Sequence, residues 1–145
     1  MKLPEYVSIA EVKRICKELG LRDWSILKEI NVTTKEATTI LKAVNVKEMP
    51  VPISVFKQGI EVELEHGIRF EDANVTNNHP LLTGMIVLAH LKETMDYYER
   101  LEVAEIEGDL LKAVLAKNLK KIEEKYKELV KAESSLYRAI AAQIK

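Results

Sequence analysis

Apolar residues recur along this chain at the three- and four-residue steps of helices, broken by short polar or proline-bearing joints. The first such segment runs from Ile9 to about Leu19. Ser8 and Glu11 stand in capping-box register ahead of it, Val7 and Val12 are spaced to staple it, and Gly20 ends it. Asp23 is placed to cap a short helix from Trp24 to about Ile30. Thr33 with Glu36 forms a second capping box, opening a helix to about Val44. Pro50 and Pro52 forbid a helix interior and mark an extended joint. Residues 1–46 therefore read as three short helices.

The next helix is expected from Ile53 to Gly67. At about 100° per residue, Lys57, Gln58, Glu61 and Glu65 share one arc, and apolar residues fill the rest. Glu63 falls in the middle of the apolar arc, with His66 beside it. A carboxylate aimed into a core is costly unless it is paired, hydrogen-bonded or bound to a metal. Residues 67–79 read as a loop, with His79 an exposed cap residue before Pro80, which suits a first helical turn. The helix from Pro80 to about Leu101 is apolar nearly all round through Leu91, so it belongs at the centre of its domain. His90 lies on its inward face with Val87, Thr94 and Tyr97, and Glu93 sits at the edge of that face.

From Ile106 onward an apolar stripe that includes Leu110, Leu119, Ile122, Leu129, Leu136 and Ile140 predicts one long helix, or two with a break near Gly108. At about 1.5 Å per residue such a helix spans nearly 60 Å. The remaining hundred or so residues pack to a radius of gyration near 13 Å. The helix must bend back, break, or bury its far end against another subunit. Self-association is the expectation, and a hairpin folded back on the same chain is the alternative. The fold class is all-α: a bundle of five to six helices with a long C-terminal helix. Its segments are 1–46, 53–105 and 106–145, within one compact domain.

Composition narrows the functional classes. The 145 residues are 47% apolar and 31% charged, the balance of a soluble globular chain, and five Gly and four Pro make it loop-poor. A single cysteine, Cys16, excludes an internal disulfide and reads as an inert buried thiol. No signal-peptide core and no apolar run of roughly 18 residues is present, so a cytoplasmic location is expected and no membrane partner. The triplets Asn31-Val32-Thr33 and Asn74-Val75-Thr76 are then sequons by coincidence. The net charge of −1 conceals +2 over residues 1–50, −6 over 51–105 and +3 over 106–145. His66, His79 and His90 all fall in the acidic block, which favours a cation over a nucleic acid. The segment TKEATTILKAV, in the place of a reading helix, has no Arg, Asn or Gln to read bases. Phosphate-binding Gly loops, Ser/His/Asp triads and Cys clusters have no counterpart, and the sequence does not decide whether the chain is an enzyme.

The sharpest chemical pattern is a mirrored pair of spacings, Glu63-x-x-His66 and His90-x-x-Glu93. Residues three apart share a helix face, so each pair can aim a carboxylate and an imidazole at one point. Glu63, His66, His90 and Glu93 together form a candidate ligand set for Zn, Fe or Mn, with Tyr97 behind them. Ferritin-like carboxylate centres need about six ligands for two irons. Here Glu102 and Glu105 are the nearest further candidates, so one metal is expected rather than two. The alternative is a core without metal, in which Glu63 is hydrogen-bonded to His90 or Tyr97. The chain would then be a non-enzymatic interaction module.

The blocks Leu19-Gly20-Leu21, Asp23-Trp24-Ser25, Phe56-x-x-Gly59-Ile60-Glu61-Val62-Glu63-Leu64-Glu65-His66-Gly67, Asn74-Val75-Thr76, Ala89-His90-Leu91-x-Glu93 and Asp96-Tyr97-Tyr98 resemble a family of small prokaryotic proteins of unknown function. The likeness covers about residues 10–105. It implies an all-helical domain and no assigned activity. The stretch from Lys28 to Pro52 is longer than the family's usual connection, and the C-terminal helix lies outside the likeness.

Overall fold

A computed structural model describes residues 7–144; residues 1–6 of the expected N-terminal segment lie outside the described residues. Among these residues there are six α-helices, two short 3₁₀ turns and no strand. The helices are α1 (Ile9–Leu19), α2 (Thr34–Val44), α3 (Ile53–Arg69), α4 (Pro80–Glu93), α5 (Tyr97–Leu115) and α6 (Leu119–Gln143). None of the described helices is long and apolar enough to cross a membrane. The chain divides into two compact units, Met1–Lys92 and Glu93–Lys145.

In the first unit, α1 begins where the Ser8 hydroxyl accepts a hydrogen bond from the Glu11 N–H at 3.2 Å. The capping box is only half made, because the Glu11 carboxylate takes a bidentate pair from Arg14 instead. Gly20 ends α1 in the left-handed region at φ 65°. The expected helix from Trp24 to Ile30 is a single 3₁₀ turn, Trp24–Ile26, capped by Asp23. Helix α2 has the complete box at Thr33 and Glu36. Glu36 is itself buried and gathers Arg22 at 2.9 Å through both oxygens and the Trp24 indole N–H at 3.3 Å. Burial alone would raise its pKa, but the bonds from Arg22, Thr33 and Trp24 outweigh it and hold the carboxyl at about 2.

The core of this unit holds Val12, Trp24, Ile40, Phe56, Ile60, Leu64 and Val87, each buried to 1% exposure or less. Helix α4 reaches α2 closely because Gly84 has no side chain; a Cβ there would lie 2.6 Å from the Ile40 methyl Cγ2.

The second unit is a helical hairpin. The expected helix from Pro80 to Leu101 is instead two helices, parted at residues 94–96. There the buried Asp96 accepts from the Thr94 hydroxyl and holds Arg100 in a bidentate pair at 3.0 and 2.8 Å. Thr and Asp side chains that bond locally favour helix ends over interiors. The C-terminal break falls at residues 116–118, not near Gly108, which sits inside α5. Lys117 takes φ 53° and Asn118 caps α6 by accepting from the Lys121 N–H at 3.1 Å. Helices α5 and α6 therefore pack on each other as a hairpin, with Ile106, Ala113 and Ala132 buried. The long C-terminal helix is resolved into α6, turned back along α5.

Candidate functional site

The central anomaly of the sequence, Glu63, sits on the third turn of α3. Its side chain is 16% exposed, between two imidazoles. His66, one turn further on, brings Nδ1 to 3.9 Å from Glu63 Oε2. His90, from α4, brings Nε2 to 3.5 Å from Glu63 Oε1. The carboxylate is thus flanked on each oxygen by a different helix's neighbour. Both separations are longer than the usual nitrogen–oxygen hydrogen bond.

Glu63 and His66 line a pocket of about 240 Å³, walled by Phe70, Ala73, Val75 and Ile86 with Asn74, Thr76 and Thr83 as further polar groups. The floor of this pocket exists because of Gly67. A Cβ at Gly67 would lie 2.9 Å from Asn74 Nδ2 and closer still to Asn78 Oδ1. Asn74 Nδ2 donates to the Gly67 carbonyl at 3.0 Å and to Asn78 Oδ1 at 2.9 Å. The Thr76 N–H and hydroxyl donate to Asn74 Oδ1, and the Asn78 N–H donates to Thr76 Oγ1. The Asn74-Val75-Thr76 triplet is therefore a turn device: Asn and Thr side chains close the loop on α3 by bonding backbone groups.

The structure brings Glu63, His66 and His90 together. Glu93 ends α4 with its side chain exposed, and Tyr97 opens α5 in the second unit, edge-to-face with the buried Tyr98 at 5.2 Å. Among the described residues, no group of three His, Cys, Asp or Glu side chains is arranged to hold a metal ion.

His79 is a correction to the sequence reading. It does precede the helix as a cap, its Nδ1 accepting from the Leu82 N–H at 3.3 Å, but it is buried rather than exposed. Burial pushes its pKa below the ordinary imidazole value. Cys16 is buried as expected, and burial pushes its thiol up.

A family model matches residues 12–107, from α1 into the middle of α5. The chain belongs to DUF5661, a family of proteins of unknown function. The DUF5661 region contains Glu63, His66, His90 and the Asn74 loop, and it ends before α6. No curated protein and no solved structure matches the chain.

Proposed function

We propose that the pocket at the end of α3 is a binding site for a small cation, with the Glu63 carboxylate as its charged anchor and His66 and His90 as flanking groups. The observation that carries this reading is a largely buried carboxylate at the wall of a pocket, with one imidazole from α3 and one from α4 beside it. Within the same unit, residues 51–92 carry five acidic and three basic side chains, a net charge of −2, which lowers the potential for an incoming cation. The apolar walls from Phe70, Val75 and Ile86 suit a ligand with a short hydrocarbon part, and about 240 Å³ admits only a small one.

Two sources supply this chemistry: an organic ammonium group and a divalent transition metal (Zn, Fe or Mn). The metal reading has one specific support. The 3.5 Å between His90 Nε2 and Glu63 Oε1 matches the roughly 3.3–3.6 Å that two donors with arms of about 2.0–2.2 Å span at a tetrahedral ion. With two or three protein donors, a metal here would complete its shell with water.

Thermal denaturation separates the arms. Freshly purified protein is assayed for bound metal, then melted with Zn²⁺, Mn²⁺ or Fe²⁺, and separately with methylammonium or propylammonium. A cation at a hundredfold excess over its Kd adds about 2.7 kcal/mol of stability. The expected result is a rise in melting temperature with one class and its loss in Glu63→Gln. Metal-free protein that neither class stabilises would overturn the reading.

A further inference from the structure

We infer that the α5–α6 hairpin is a self-association surface that closes on a second copy of this chain as a four-helix bundle. The apolar seam between α5 and α6 uses only part of α6. A second stripe, Leu119, Tyr126, Val130, Tyr137 and Ile144, advances in steps of seven and four residues along another face. Those steps keep side chains on one side of a helix. All five are exposed, Leu119 to 80% and Tyr137 to 68%. Leu115, at the tip of α5, extends the same apolar surface around the turn at 74% exposure.

Two observations select a second copy as the occupant. The first is charge. Helix α5 carries five acidic and two basic residues, net −3, whereas α6 carries four acidic and six basic, net +2. A two-fold arrangement of hairpins sets each α6 beside the partner's α5, so opposite signs alternate around the bundle. A surface with both signs on adjacent helices is self-complementary, as an isologous interface requires. The second is area. Helix α6 has 25 residues and is about 37 Å long. A hairpin face two helices wide covers on the order of 700–800 Å², the contribution per partner of a standard-size stable interface.

The test is light scattering coupled to size exclusion on the full chain over a range of concentrations. Wild-type protein is expected at twice the 16.5 kDa chain mass. Two double variants, Val130→Lys with Tyr137→Lys and Leu115→Lys with Leu119→Lys, are expected at the monomer mass with helical circular dichroism retained. All four positions are exposed, so neither pair removes core packing. Raising salt is expected to shift wild type toward monomer, because the alternating charges are screened. Wild type that stays monomeric at high micromolar concentration would overturn the inference and leave the stripe to a different partner. So would a dimer that survives in both variants.

Discussion

Glu36 is where single-residue chemistry matters most for stability. Its carboxylate is buried at the start of α2 and satisfied by Arg22, Trp24 and Thr33 at once. With a folded pKa of about 2, below the ordinary carboxylate value of 4.5, its contribution is present above pH 4.5 and is lost as pH falls toward 2. That difference corresponds to roughly 3 kcal/mol. Urea unfolding at pH 7 should show Glu36→Gln destabilised by about 2–3 kcal/mol, the usual worth of hydrogen bonds to a charged group. The loss should shrink as both proteins are titrated from pH 5 to pH 2. His79 acts in a higher window. Its folded pKa lies below the unfolded value of 6.5, so the neutral form is the stable one and stability falls as pH drops below 6.5. Asn at position 79 retains a side-chain acceptor for the Leu82 N–H and cannot charge. The melting temperature of His79→Asn should therefore decline less between pH 7 and pH 5 than that of wild type.

At the scale of elements, two helical glycines with the same propensity cost play opposite parts. Gly108 lies inside α5 with open space where a Cβ would go. Gly108→Ala should stabilise the hairpin by about 0.5–1 kcal/mol, the backbone-entropy difference between the two residues in a helix. Gly67 lies inside α3 against Asn74 and Asn78. The same substitution there should destabilise by about 1–3 kcal/mol, because the loop that floors the pocket must move outward. Paired thermal melts of the two variants check the reversal of sign, and a stabilised Gly67→Ala would show that the Asn loop yields without cost. The Asn loop also locates the site: Asn74, Thr76 and Asn78 hold the chain against α3 and so set one wall of the candidate pocket.

At the scale of the whole molecule, the DUF5661 match and the architecture divide the chain differently. The family region runs through residue 107, whereas the second compact unit begins at Glu93. The candidate cation site therefore belongs to the part shared with the family, and α6 with its exposed stripe lies beyond it. Binding and assembly are expected to be separable. Glu63→Gln should abolish stabilisation by cations without changing mass in light scattering, and Val130→Lys with Tyr137→Lys should do the reverse. A variant that moved both readouts would show the two surfaces to be coupled.

Helix content, the capping box at Thr33, the αL stop at Gly20 and the placement of Glu63 on a buried face were all legible in the sequence. Each depends on local bonding or on helical periodicity, which residues a few positions apart determine by themselves. The pairing of Glu63 with both His66 and His90 was legible only in part. The i,i+3 step brings His66 near, but the approach of His90 depends on how α4 packs, which Gly84 decides by admitting Ile40. The breaks at Thr94–Asp96 and Lys117–Asn118 escaped the periodicity because apolar spacing continues across them, while local side-chain bonds and a left-handed residue end the helices. The burial of His79 and the network around Glu36 likewise required partners distant in sequence. Sequence alone determined where helices form and which of their faces are apolar. Tertiary structure decided which buried polar groups meet, because that depends on contacts between helices that no local pattern encodes.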